Sequence, residues 1–203
     1  MKTRIAVLVS GGGTNLQALI DARDRGELPS GELALVVSNN EGAYALERAN
    51  KAGIPSAVCL RAKGEQRADF EKRLMDILAE YRIDMIVLAG FMAILSADFV
   101  GRYPERIINI HPSLIPSFCG EGFYGLRVHQ AALDYGVKVT GATVHYVNEI
   151  PDGGRIIAQK AVEILPGDTP EILQRRVMEQ AEWILLPRAA EEVARELGIR
   201  NEE

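Results

Sequence analysis

The feature that most limits the fold of this chain is its first apolar run. Ile5, Ala6, Val7, Leu8 and Val9 follow one another without a polar interruption, and Ser10-Gly11-Gly12-Gly13 comes directly after. A strand without polar alternation is buried on both faces, as an interior strand of a parallel sheet is. Parallel neighbours cannot be joined by a tight turn, so helical crossovers must follow. The chain supplies them. After the glycines, Leu16, Leu19 and Ile20 make a helical stripe ending near Gly26; residues 33–37 read as a second strand and 44–51 as a second helix, stopped before Gly53 and Pro55. A short strand over 57–60 follows. An amphipathic helix over 65–81, with Phe70, Leu74, Ile77 and Leu78 on one face, leads to a fourth strand over 85–89. This rhythm predicts an α/β fold with a doubly wound, Rossmann-like, mostly parallel sheet and right-handed crossovers.

The second half changes character. Residues 106–110 read as a core strand ending on His111-Pro112, and a loop rich in Ser, Pro, Gly and aromatics fills 113–125. A helix near 128–135 precedes an alternating strand over 139–147, turn residues over 148–154 and a hairpin partner over 156–162, an antiparallel C-terminal extension. Residues 169–197 read as one closing helix, opened by Asp168-Thr169 as cap and Pro170 in the first turn. Trp183 is expected in the core, the Glu/Arg-rich 191–203 as a solvated helix face, and Ile115-Pro116 as trans by default. With no repeat, linker or low-complexity tract, residues 1–203 read as a single domain.

Composition narrows the partners. A net charge of −5 argues against a nucleic-acid surface, although a local patch could still hold a phosphate. Cys59 and Cys119 make no disulfide framework, and with three scattered histidines they show no zinc-ligand spacing, so no metal is expected. No apolar run reaches the length of a membrane span, and the N-terminal run is too short for a signal segment; the expectation is a cytoplasmic protein.

Glycines between a strand and a helix let backbone amides converge at a helix N-terminus, where an anion is favoured. A dinucleotide fingerprint starting at Gly11 would need glycine at Leu16, and one starting at Gly13 would need glycine at Asn15; the Gly-Lys pair of a Walker loop is missing. The loop therefore suggests a single phosphate, with Thr14 and Asn15 as side-chain donors. A plain tight turn with Thr14 as helix cap is the competing reading.

Asn109 and His111 stand two apart at the carboxyl end of a strand, so their side chains share a side where α/β folds place ligands. Histidine exchanges protons near neutrality, and a carboxamide can donate to a developing oxyanion. Asp152, in the turn Pro151-Asp152-Gly153-Gly154, could approach His111; a nearby carboxylate would raise the imidazole pKa and favour its charged form. His145, mid-strand, reads by itself as a hydrogen-bonded core residue, and His129 as structural.

Ser10-Gly11-Gly12-Gly13-Thr14-Asn15-Leu16, Leu88-Ala89-Gly90-Phe91-Met92-Ala93-Ile94-Leu95, Asn109-Ile110-His111-Pro112-Ser113-Leu114-Ile115-Pro116, Val144-His145-Tyr146-Val147 and Asp152-Gly153-Gly154 together resemble the glycinamide ribonucleotide formyltransferase family of folate-dependent enzymes, in order from Arg4 to Pro187. The resemblance implies a formyltransferase fold, in which 10-formyltetrahydrofolate is the formyl donor and glycinamide ribonucleotide the acceptor in purine biosynthesis. It implies ribonucleotide contacts from Gly13, Thr14, Asn15 and Glu182, and folate contacts from Arg67, from the backbone of Met92, Ala93, Ile94 and Leu95, and from Asn109. It also implies catalysis by Asn109 and a protonated His111 supported by Asp152, with His145 nearby behind them, through a tetrahedral intermediate and no acyl-enzyme. Residues 1–90 would then be the phosphate-binding half and 91–203 the folate-binding and catalytic half.

The chain departs from the family pattern in three places. Ala93 stands where many members carry arginine, the loop 117–125 is longer than usual with Cys119 replacing a common proline, and residues 178–181 match no polar set, so only Glu182 is carried over. Among rivals, a methionyl-tRNA formyltransferase would need a further C-terminal domain and a basic surface. A formyltetrahydrofolate hydrolase would usually carry an N-terminal regulatory domain, whereas here the first strand starts almost at Met1. A non-catalytic nucleotide-binding Rossmann module leaves Asn109, His111 and Asp152 unexplained.

Overall fold

The computed structural model describes residues 1–200. Strands β1 (Thr3–Val9), β2 (Gly31–Ser38), β3 (Ser56–Val58), β4 (Met85–Leu88), β5 (Ile107–His111), β6 (Val139–Tyr146) and β7 (Ile156–Glu163) form one sheet in the order β3-β2-β1-β4-β5-β6-β7. The pairings from β3 across to β5 are parallel; β6 and β7 are antiparallel additions. Helices α1 (Thr14–Asp24), α2 (Tyr44–Lys51), α3 (Arg67–Glu80), α4 (Ala97–Gly101), α5 (Leu126–Tyr135), α6 (Pro170–Val177) and α7 (Trp183–Arg200) complete the α/β architecture read from the sequence.

Burial on both faces is visible residue by residue in β1. Ile5, Val7 and Val9 point into a core shared with α1, α2, α6 and α7, while Ala6 and Leu8 point into a second core with Phe70, Leu74 and Leu78 of α3 and Phe99 of α4. Each fully buried side chain of this size contributes about 1.5–3 kcal/mol. Truncating Leu74 to Ala would cost about 2–5 kcal/mol, the usual range for a cavity of that kind.

The C-terminal segment corrects the sequence reading. The single helix expected over 169–197 is interrupted by a π-turn over Met178–Glu182, which buries Ala181 and Glu182. A π-turn carries one extra residue and so rotates every later side chain relative to an unbroken helix. Beyond it, Val193, Ala194 and Leu197 are buried, and the Thr3 hydroxyl donates to the Ala194 carbonyl at 2.7 Å. Residues 191–200 are therefore an amphipathic element, not a purely solvated face; 201–203 lie outside the described residues. Trp183 is half-buried and forms a groove wall instead of joining a core cluster. The short α4, capped by the Ser96 hydroxyl, was not expected, and the Ile115-Pro116 bond is cis. Among the described residues no helix is long and apolar enough to cross a membrane.

This topology positions the site. The chain winds from β1 outward to β3, then returns to β4 on the other side of β1. The carboxyl ends of β1 and β4 thus flank the switch point where open α/β sheets bind ligands. The loop Gly11-Gly12-Gly13 leaves β1 there, Gly90 to Ile94 leave β4, and His111 ends β5 alongside.

Candidate active site

A cleft of about 970 Å³ runs along this switch point. Its walls include the glycine loop with Thr14 and Asn15, the segment 89–94, Asn109 to Pro112, the loop 120–125, Asp152 and Glu182. A smaller recess of about 120 Å³ opens beside it, between residues 91–95 and 147–152.

At the first end, Gly13 caps α1 with φ +70, a conformation glycine adopts without strain. A Cβ there would stand 2.6 Å from that of Ala45, so the loop rests directly on α2. Asn15 donates from Nδ2 to Glu182 Oε2 at 2.7 Å, while its Oδ1 is buried without a partner. Glu182 is 5% exposed, and burial raises its pKa to about 7 although the Asn15 bond pulls it down. The π-turn is what delivers this carboxyl to the cleft.

At the other end, pairing of β5 with β6 sets Asn109 opposite His145 and His111 opposite Thr143. Asn109 Nδ2 lies 3.1 Å from His145 Nε2 and 3.4 Å from Asp152 Oδ1. His145 Nδ1 lies 2.8 Å from the Tyr146 carbonyl, which can only accept, so that nitrogen carries a proton, and Nε2 lies 3.6 Å from Asp152 Oδ1. Asp152 reaches His111 Nδ1 at 3.4 Å from a left-handed backbone with φ 56, a region Asp tolerates better than most residues.

The loop after the His-Pro-Ser segment folds back onto this group. His111 Nε2 stands 2.9 Å from the Phe118 carbonyl, so that nitrogen carries a proton, and the Gly120 amide donates to Asp152 Oδ2 at 2.8 Å. The Phe118 ring packs edge-on against Phe123 and Tyr135. Beneath the loop, Thr143 Oγ1 donates to the Ser113 carbonyl at 2.7 Å and accepts from the Ile115 amide at 3.1 Å and from Gln159 at 2.9 Å. None of Phe118, Gly120, Thr143 or Gln159 stands out in the sequence, because their roles depend on backbone atoms or long-range pairing.

The expected pull of Asp152 on His111 is present here, and burial opposes it. Burial lowers the His111 pKa, and the opposing pull of Asp152 and the Phe118 bond does not restore it. At 4% exposure the imidazole has lost most of its hydration, and that cost outweighs the attraction of the Asp152 carboxylate 3.4 Å away. Asp152 remains a carboxylate: burial pushes its pKa up, but His145, His111 and the Gly120 amide together hold it below the ordinary value. Burial thus biases His111 toward its neutral form, while Asp152 is held as the carboxylate facing Nδ1.

Residues 3–189 match the formyl transferase family. The chain belongs to it. It is 44% identical over 177 residues to the phosphoribosylglycinamide formyltransferase of Haemophilus influenzae, covering 87% of this chain and 81% of that one. To the chloroplastic phosphoribosylglycinamide formyltransferase of Arabidopsis thaliana it is 39% identical over 180 residues, 88% of this chain but less than two thirds, 61%, of the plant protein. The crystal structure of glycinamide ribonucleotide transformylase 1 from Symbiobacterium toebii superposes with a TM-score of 0.89 at 41% identity, covering 96% of this chain and 89% of that one.

The recess between 91–95 and 147–152 is lined largely by apolar side chains. Ile94 stands 55% exposed at its mouth with the buried Leu95 behind it, while Met92, 56% exposed, lines the main cleft. Arg67 is exposed at the start of α3 and lines neither the cleft nor the recess.

Proposed function

We propose that this formyl transferase moves the formyl group of 10-formyltetrahydrofolate onto the amino group of glycinamide ribonucleotide, a step of purine biosynthesis. The observation that carries the reading is the convergence of Asn109, His111 and Asp152 in the wall of a cleft that joins a glycine loop to an apolar recess. The names of the similar proteins add the acceptor.

Gly13, Thr14 and Asn15 hold the acceptor phosphate at the α1 N-terminus, and Glu182 meets the sugar. Residues 92–95 present backbone groups to the folate's ring, with Asn109 at the reacting end and Arg67 toward the outer part of the molecule. The donor supplies an activated formyl carbon. Asn109 Nδ2 gives up its long contact to Asp152 and donates to the oxyanion that forms when the acceptor amine attacks. Losing one such donor typically costs about 10²–10³ in turnover. Neutral His111 accepts the amine proton at Nδ1, directly or through a water held by Asp152, and the resulting imidazolium pairs with that carboxylate. The same proton then goes to the departing folate nitrogen as its bond to carbon breaks. Holding both reactants in line supplies much of the remaining acceleration. In this division, residues 1–90 supply the phosphate end and 91–203 the catalytic and folate end, with Glu182 crossing back between them.

Purified protein given both substrates should release tetrahydrofolate together with formylated ribonucleotide, and release little without the acceptor. Formate release at equal rates with and without acceptor would overturn the proposal in favour of hydrolysis.

A further inference from the structure

The walls of the cleft and recess contain Glu121, Glu149, Asp152 and Glu182, and among the described residues no lysine or arginine. A phosphate monoester bound on the glycine loop carries close to two negative charges, and a helix N-terminus offsets only about half of one. A cation beside the cleft would offset the remaining charge. Thr14 marks where, because it lines both the main cleft and a flanking groove of about 310 Å³ formed with Gln17, Ala18, Asp21, Arg25, Arg48 and Trp183.

Of the two arginines in that groove, Arg25 is tied to Glu27 at 2.7 Å. Arg48 has no carboxylate partner among the described residues. Its Nε donates to the Gly12 carbonyl at 2.8 Å, its Nη1 donates to Gln17 Oε1 at 2.9 Å, and its guanidinium lies 5.0 Å over the Tyr44 ring. It is thereby fixed against the loop and the first turn of α1, with Nη2 given to no acceptor among the described residues. The Gln17 amide nitrogen in turn donates to Asp21 at 2.8 Å, which turns the one carboxylate of the groove toward Gln17. On the cleft side, the buried and unpartnered Asn15 Oδ1 is an acceptor, so it suits a ligand's donor such as a sugar hydroxyl and leaves the phosphate charge to be met elsewhere.

We infer that Arg48 is the counter-charge for the acceptor's phosphate, a ligand-binding residue on α2 that reads the phosphate from behind the glycine loop. The inference rests on the assignment of a phosphate to that loop under Proposed function. A planar guanidinium held by two bonds is suited to this, since little side-chain freedom remains to be lost when the anion arrives.

The test compares wild type, Arg48→Met and Arg48→Lys with glycinamide ribonucleotide, with the dephosphorylated acceptor, and with inorganic phosphate as competitor. In Arg48→Met the KM for the ribonucleotide should rise about tenfold or more, as expected for loss of a charge-assisted hydrogen bond. Phosphate inhibition should weaken by a similar factor. The KM for folate and for the dephosphorylated acceptor should stay near wild type, and Arg48→Lys should recover part of the loss. If Arg48→Met weakens both acceptors equally, the arginine only braces the Gly12 carbonyl and the inference is overturned. If wild type itself shows no preference for the phosphorylated acceptor, the phosphate assignment fails first and Arg48's role with it.

Discussion

The two ends of the cleft are built by different means. The glycine-loop end is mostly backbone: amides at the start of α1, a left-handed Gly13 resting on Ala45, and a single side-chain bond from Asn15 to Glu182. The catalytic end is a mesh of side chains, in which Asn109, His111, His145 and Asp152 contact one another and the 117–125 loop closes over them. A backbone site with a few anchoring side chains gives binding, and losing an anchor weakens affinity without touching the chemistry. A side-chain mesh gives reactivity, because each member fixes the tautomer or charge of the next, and it fails when one member is lost.

This contrast sets the order of the expected effects. His111→Ala and Asn109→Ala should each lower kcat by about 10²–10³ or more, with only small changes in either KM, in steady-state assays of the purified variants. Asp152→Asn preserves the left-handed backbone better than Ala would, and should cost kcat about 10–100-fold by removing the charge that receives the imidazolium. Asn15→Ala should act the other way round, raising the KM of the ribonucleotide about tenfold while sparing that of the folate. A variant at the glycine loop that lowers kcat alone, or one at His111 that raises KM alone, would break the division.

Two buried acids and bases sharpen it through stability. Glu182, normally near 4.5, is raised to about 7, so the folded state prefers its proton and loses stability as pH climbs from about 4.5 to about 7. Glu182→Gln should therefore stabilise the protein at pH 8 by on the order of 1–3 kcal/mol while weakening ribonucleotide binding, a trade-off seen in urea melts set beside KM values. His129 has the opposite sign. Burial, aided by His111, lowers it from 6.5 to about 4, so its contribution is intact above pH 6.5 and is lost as pH falls toward 4. Both of its ring nitrogens are buried without partners. His129→Leu should flatten the acid limb of the stability curve and add about 1 kcal/mol near pH 5; no change in that limb would mean that the ring is hydrated.

The sequence exposed the parts of this molecule that depend on local pattern. The unbroken apolar run of β1 announced a two-faced core, Tyr44–Lys51 was legible to the residue as a helix, and the spacing of Asn109 and His111 placed both at one strand end. Other features depend on distant neighbours. The direction of the His111 shift follows from burial under a loop whose carbonyl and amide do the contacting, and side-chain types do not encode that. The π-turn differs from an ordinary helix by one residue in register, too small a change for apolar periodicity to reveal. Arg48 meets Gly12 across 36 positions through a backbone oxygen. Trp183 looked like core because it is apolar and flanked by apolar residues, yet it forms the wall of a groove.

The most direct test of the account is the pH dependence of kcat for formyl transfer to glycinamide ribonucleotide, with both substrates saturating, in wild type and Asp152→Asn. If neutral His111 takes the proton, wild-type kcat holds on the alkaline side and falls as pH drops below about 6.5. In Asp152→Asn the slower reaction should keep its rate to still lower pH, because the carboxylate that raised the imidazole pKa is gone. A wild-type rate that instead falls as pH rises through that range would make protonated His111 the active form, and contradict the account.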